Sequence, residues 1–365
     1  MTLADIAVVG GGLLGRTLAW RAARAGARVA LYDAAGSQGE GSAAWAAAGM
    51  IAPIVEAIDA DVQIASMGKH SLTLWPQWLA DLPVPVFYRN NGTILLWHRE
   101  DSSEAVRVEH RLASRVPQAG WKPLEDSQLR ELEPELNSRL SHAAYISEEA
   151  QIDNREFLKA VGLALEETRV ECHWNTFVSD HALPDAGVVV DCRGMGAKSS
   201  RHNLRGVRGE IVRLHAPDIE LHHMLRLLHP RHPVYIVPRA EGRLVVGATS
   251  VESDDRSPVS VRGALELLAS AQSVLPALGE ARILEFNTQV RPAFPDNLPA
   301  IRFDRERRVL RINGLYRHGF LLTPTIVEDV LILLSLEPPT RVESWPSLRY
   351  HDEVHECLFL SLIHI

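Results

Sequence analysis

The sequence predicts an α/β fold in which a Rossmann-like βαβ unit on a parallel sheet is joined to an α+β unit on a mostly antiparallel sheet. Three observations carry this. Gly10, Gly12 and Gly15 separate a strand-like run from a helix-like one. Asp33 closes the next strand-like run. Further strand patterns, between 84 and 98 and from 207 to 290, suit antiparallel pairing, with hairpin-type loops among them.

The 365 residues are 46% hydrophobic and 23% charged, which excludes a mainly disordered chain and suits two or three domains. Lys+Arg 38 against Asp+Glu 46 gives a net charge of -8, which argues against nucleic acid as a partner. The cysteines, Cys172, Cys192 and Cys357, are odd in number and form no C-x-x-C pair. They argue against a disulfide framework and a cysteine-built zinc site, and suit a reducing compartment. No basic region followed by a long apolar run opens the chain, so no signal peptide is expected. The best membrane-span candidate, 327–336, is short and carries Glu328 and Asp329. The expectation is a cytoplasmic protein.

The first unit opens with strand Ile6 to Val9, stopped by Gly10-Gly11-Gly12. Leu14, Leu18, Ala22 and Ala25 then recur on one face of a helix that Gly26 ends. Arg28 to Tyr32 is the second strand. The glycines spell G-x-G-x-x-G. Gly10 allows the tight turn, Gly12 lets a pyrophosphate approach the backbone, and Gly15 lets helix pack on strand. Phosphates would meet the helix N-terminus, and Asp33 would take ribose hydroxyls. The fingerprint does not separate NAD from FAD, and a βαβ turn without a ligand has the same local pattern. The small-residue run 39–50 lets backbone come close to something large and flat; a flexible loop or packed helix start also fits it.

Farther on, Asn90-Asn91-Gly92 reads as a hairpin turn between Val86-Phe87-Tyr88 and Thr93 to Trp97. Residues 102–116 read as a solvated helix, and Asn154 as the cap of a helix carrying Phe157, Leu158, Val161 and Leu165. Gly187 to Cys192 is a buried strand ended by Arg193-Gly194. Strands follow at 207–214, 234–238 and 243–249, a helix at 260–275, and a strand at 282–290 with Arg291 just beyond it. A last strand ends near Asn313, and a helix starts near Pro324. By themselves Tyr235, Arg291 and Arg317 read as a half-buried strand tyrosine, a salt-bridge arginine and a solvated loop arginine.

Taken together, Val9 to Gly15, Ala46 to Met50, Tyr235 to Arg239, Arg243 to Thr249, Val290 to Pro292 and Arg317 to Leu322 carry a resemblance. The sequence resembles the FAD-dependent amine oxidases of the D-amino-acid oxidase group, and within it the glycine oxidases of thiamine biosynthesis. The resemblance implies FAD as cofactor and interleaved domains. Residues 1–82, 146–206 and 291–350 would bind FAD; 83–145 and 207–290 would bind substrate; 351–365 would be a tail. It implies a cofactor site from Gly10, Gly12, Leu14, Gly15, Asp33, Ala47, Ala48, Gly49, Met50, Val178, Arg193, Gly194, His318, Gly319, Phe320, Leu321 and Leu322. It implies that Arg291 and Tyr235 hold the substrate carboxylate, and that Arg317 lines the site.

The implied activity is oxidative deamination of glycine, other small amines or D-amino acids. Dioxygen would be the acceptor, and dehydroglycine would serve thiazole assembly. The implied assembly is a homotetramer. A D-amino-acid or sarcosine dehydrogenase, a nicotinamide-dependent dehydrogenase and a non-catalytic FAD-binding protein are the alternatives. Two positions bordering the implied pocket depart from the relatives: Pro233 stands where they can carry histidine, and Ser250 where they can show methionine.

No metal is expected. His222, His223, His229 and His232 cluster in sequence but match no ligand spacing. His351 and His355 lack the Glu directly after the first His that a zincin needs. The ending Leu360 to Ile365 resembles one reading frame of a transposon end used in sequencing libraries, so the tail is set aside from fold reasoning.

Overall fold

The computed structural model describes residues 4–117, 120–200 and 203–336. The tail 351–365 with its two histidines, and Cys357, lie outside the described residues. One sheet has six strands in the order β17-β18-β10-β1-β2-β9. These are β1 (Ala4–Val9), β2 (Val29–Tyr32), β9 (Glu171–His173), β10 (Ala186–Asp191), β17 (Ala300–Asp304) and β18 (Val309–Asn313). All neighbours are parallel except β17 on β18.

A nine-stranded sheet holds β5 (Thr93–Trp97), β6 (Lys122–Leu124), β7 (His142–Ile146), β11 (Arg205–His215), β12 (Met224–Leu227), β13 (Val234–Pro238), β14 (Arg243–Gly247), β15 (Val251–Glu252) and β16 (Arg282–Ala293). Its pairs are antiparallel except β5 with β12. A small third sheet, β3 (Met50–Ile51), β8 (Ala150–Ile152) and β4 (Tyr88–Arg89), is antiparallel throughout. The helices are α1 (Leu13–Arg24), α2 (Pro53–Glu56), α3 (Val62–Ala80), α4 (Ser102–Arg115), α5 (Asp126–Leu132), α6 (Asn154–Glu167), α7 (Val261–Val274) and α8 (Gly319–Leu333).

The opening βαβ unit forms as its periodicity predicts. Gly26 takes φ +98°, the left-handed conformation that ends α1. Elsewhere the structure corrects the sequence reading. Val86–Tyr88 and Thr93–Trp97 are not a hairpin: β4 pairs with β8, whereas β5 pairs with β7 and β12. Gly92 at φ +81° turns the chain from one sheet to another, a geometry that local sequence shares with a hairpin turn. Asn154 does not cap α6. Asp153 does, its carboxylate accepting from the N–H groups of Arg155 and Glu156. The Asn154 amide instead donates to the carbonyls of Ala44 and Trp45 at 2.7 and 2.9 Å.

Helix α8 begins five residues before Pro324, which sits inside it. A proline removes the N–H that would bond the carbonyl of Phe320. The Trp75 indole supplies the missing donor at 3.1 Å, so the helix runs through. The segment carrying Glu328 and Asp329 is a core helix, packed on α1 and α3, with Glu328 2.6 Å from His70 Nε2. Among the described residues no helix is long and apolar enough to cross a membrane.

Candidate active site

A cavity of about 600 Å³ opens at the carboxyl ends of β1, β2, β10 and β18, the crevice where α/β sheets place ligands. The residues just past each strand line it: Gly10 after β1, Asp33 after β2, Arg193 after β10 and Leu315 after β18. The cavity continues between the parallel and antiparallel sheets to Tyr235, Arg291 and Arg317. Of the twenty expected site residues it brings eighteen to the lining, leaving out Gly15 and Leu322. Leu322 is fully buried in the core. Gly15 works behind the wall: a Cβ there would overlap the carbonyl oxygen of Gly10. Gly15→Ala should therefore push α1 off β1, destabilise the protein by about 3 kcal/mol and lower the flavin-to-protein absorbance ratio of purified enzyme. An unchanged ratio and melting curve would contradict this.

The cofactor end is a backbone cradle. Gly10 needs its φ of +105°, and any Cβ on it would run into Cys192 and Arg193. A Cβ on Gly12 would meet only Ser42 at 3.6 Å, so the entry to α1 stays open to a ligand. The Asp33 carboxylate accepts from the N–H groups of Gly11 and Ala35, which fixes it at the cavity wall. Two buried arginines that the sequence reading passed over brace this wall. Arg16 donates to the carbonyls of Gly11 and Leu158 at 2.8 and 3.0 Å. Arg239 donates to Gln151 and to the carbonyl of Ala48, tying the small-residue run to β13. An open glycine turn, a helix N-terminus and a fixed carboxylate are the donors and acceptors that a dinucleotide's phosphates and ribose need; these residues fit FAD.

At the other end Arg291 lies inside β16, not beyond it, so the domain boundary expected at 290/291 falls within one strand. Tyr235 stands on β13. Two strand glycines make room for them. A Cβ on Gly209 would fall within the Arg291 guanidinium, and one on Gly247 within the Tyr235 phenol. A glycine inside a strand is the sequence signal for such close approach, and the sequence reading assigned that role to neither. Arg291 donates to the carbonyl of Thr249 at 3.3 Å and, among the described residues, has no carboxylate partner. Burial pulls its guanidinium below the usual arginine value. Burial likewise pushes the Tyr235 phenol up, so it stays a neutral donor. Pro233 and Ser250 both line the cavity.

Arg317 is not a free loop arginine. Its Nε donates to Glu56 Oε2 at 2.7 Å, and the same oxygen lies 2.9 Å from His318 Nε2. Burial acts to raise the Glu56 carboxyl, but Arg317, His318 and Arg226 outweigh it and hold it well below the ordinary range. A carboxylate so depressed and so occupied is a poor general base. Glu56, Asp59 and Arg226 all line the cavity and went unread in the sequence. Behind Glu56 lies Glu149, fully buried, accepting from the Val55 N–H at 2.7 Å and paired with the Thr93 hydroxyl. Burial first, and then the charge of Glu56, push it up to about 8.

The sequence clusters of histidine have other partners. The backbone N–H groups of His222 and His223 donate to buried Glu133, and His229 Nδ1 accepts from the N–H groups of Arg231 and His232. Among the described residues no group of three or more His, Cys, Asp or Glu side chains could hold a metal ion.

The model of the family described as FAD dependent oxidoreductase matches residues 5–329. The chain belongs to this family. It is 39% identical over 325 residues to the Rhizobium etli protein named thiamine biosynthesis oxidoreductase ThiO, covering 89% of this chain and 94% of that one. It is 27% identical over 346 residues to a glycine oxidase of Geobacillus kaustophilus, covering 88% and 90% of the two chains. The crystal structure of glycine oxidase from Geobacillus kaustophilus superposes with a TM-score of 0.83 at 26% identity, covering 96% of this chain and 100% of that one. The mixed parallel and antiparallel α/β fold, the FAD dependence and the oxidoreductase class expected from the resemblance are thereby established.

Proposed function

We propose that this protein is an amino-acid oxidase whose substrate is glycine, making the imine used in thiamine biosynthesis. The observation that carries the reading is Arg291, a partly buried guanidinium without a carboxylate partner among the described residues, beside the Tyr235 phenol in the cavity that continues from the glycine turn. The thiamine-biosynthesis and glycine-oxidase relatives support the choice of substrate. The whole set of expected site residues, and the two interleaved domains, belong to the same proposal.

The Gly10–Gly12 turn, Asp33, the Ala47–Met50 run and the start of α8 at Gly319–Leu321 would hold FAD, which would supply two-electron oxidation with dioxygen as acceptor. The chain's own residues do the positioning. Arg291 and Tyr235 clamp the substrate carboxylate by charge-assisted hydrogen bonds, which fixes the direction of the Cα–H bond. Orientation of this kind is worth several kcal/mol of barrier, so no strong protein base is required. The imine product leaves, or hydrolyses to a 2-oxo acid and ammonia. The reading extends to a homotetramer in the cytoplasm, which light scattering and cell fractionation test.

The experiment is the visible spectrum of the purified protein before and after anaerobic glycine. A flavin spectrum that bleaches supports the reading, and peroxide formed on readmitting air distinguishes an oxidase from a dehydrogenase. A spectrum unmoved by glycine moves the substrate elsewhere, with Pro233 and Ser250 the first positions to vary.

A further inference from the structure

We propose that Glu56 sets the charge limit of the substrate site, so that it admits one carboxylate and turns away a second. The proposal rests on the reading above for the role of Arg291 and adds a rule about which acids enter. Arg226, Arg291 and Arg317 line this end of the cavity; Arg193 at the cofactor end and the exposed Arg256 also line it. Two carboxylates face them, Glu56 and Asp59. Glu56 Oε2 is 2.7 Å from Arg317 Nε, and Glu56 Oε1 is 3.7 Å from Arg226. Asp59 Oδ2 lies 3.3 Å from Arg226 and 3.6 Å from Arg317. The four charges of this quartet sum to zero, Arg111 meets the other Asp59 oxygen at 3.5 Å, and His318 adds a hydrogen bond to Glu56. Arg291 alone of the three arginines is left without a counter-charge among the described residues.

The quartet adjoins the clamp. Arg226 on β12 is the cross-strand partner of Tyr235 on β13, which puts the two side chains on one face of the sheet. Glu56 and Arg226 are only 15% and 14% exposed, so their charges are weakly screened. A second anionic group beside the first would have to displace Glu56 from Arg317 or face its charge directly. Glu56 is therefore a positioning residue that, with Asp59, compensates the charge of two arginines, and specificity comes from its repulsion of a second anion. Neutralising Glu56 leaves Asp59 as the carboxylate shared by Arg226 and Arg317, and so leaves one positive charge there for a second carboxylate.

The test uses FAD-loaded enzyme and two acids that it cannot deaminate, acetate and malonate, titrated by calorimetry. Wild type should bind acetate more tightly than malonate. Glu56→Gln should shift the malonate-to-acetate ratio of affinities by about tenfold or more toward malonate. The ratio of kcat/KM for iminodiacetate over glycine should move the same way. Glu56→Asp, which restores the charge, should restore the preference, a rescue that a merely structural role would not give. Asp59→Asn, at a more exposed position, should shift the ratio in the same direction by less, and it carries the test if Glu56→Gln does not retain FAD. A wild type that binds malonate as tightly as acetate, or a ratio unmoved by these substitutions, overturns the proposal. A shifted ratio in an enzyme that glycine does not reduce overturns the glycine reading and keeps the charge rule.

Discussion

Replacing Arg291 with methionine is expected to lower kcat/KM for glycine about a thousandfold and to leave the melting temperature equal or higher. The loss follows from removing one partner of a desolvated, charge-assisted contact, which costs about 2–5 kcal/mol, or one to four powers of ten in rate. The gain follows from the unliganded protein. There Arg291 is a partly buried cation with no carboxylate partner among the described residues, held by a 3.3 Å bond to the Thr249 carbonyl. Burial lowers its proton affinity in the folded state, which means that the charged form costs folding free energy. Methionine fills much of the space beside Gly209 without that charge.

Function and stability should thus move in opposite directions, as at other sites where charge is kept buried for a ligand. Arg291→Lys keeps the charge but loses the planar fork, so it should recover only part of the rate. Peroxide production and thermal melts of FAD-loaded protein measure both effects. Less than a tenfold loss in kcat/KM for Arg291→Met would show that the substrate carboxylate is bound elsewhere.

What the sequence discloses and what it hides separate by range. The β1-α1-β2 unit is legible because its signals are local: an apolar strand, three glycines, a four-residue helical period and a closing acid. The start of α8 is misread because proline usually marks a helix start, and the compensating donor, Trp75, stands 245 residues from the carbonyl that it satisfies. The role of Glu56 is hidden for the same reason. Its partners Arg226, Arg317 and His318 are brought to it by β12 and by the β18–α8 connection, and nothing near residue 56 announces them. Gly209 and Gly247 carried a visible signal, a glycine inside a strand, but not the identity of the side chain that needs the space. Arg291 and Tyr235 were reachable only through the wider resemblance, since an arginine or a tyrosine in a strand has many ordinary uses.

Glu149→Gln is expected to raise stability at about pH 8, by progressively less as pH falls, and to leave it unchanged only below about pH 4. Unfolded, this carboxyl ionises near its ordinary value of 4.5; folded, it keeps its proton up to about 8. Between those values the native protein binds one proton more than the unfolded chain. Unfolding free energy therefore falls as pH rises, by up to about 1.4 kcal/mol per pH unit. The stabilisation is complete below the unfolded value and is lost as pH rises through the folded one. Glu56 behaves oppositely. Its folded value is depressed, so its contribution is present above its unfolded value and is lost only in more acidic solution. It is constant across the window in which Glu149 varies.

Glutamine has the shape to keep both contacts, accepting from the Val55 N–H and pairing with the Thr93 hydroxyl, without a titrating proton. Urea unfolding of both proteins with excess FAD, at intervals from about pH 5 to 8, gives the difference directly. A difference that stays constant with pH would mean that Glu149 is already ionised in the fold. Glu56 would then face a second buried negative charge behind it, and Arg226 and Arg317 would no longer be neutralised by Glu56 and Asp59 alone.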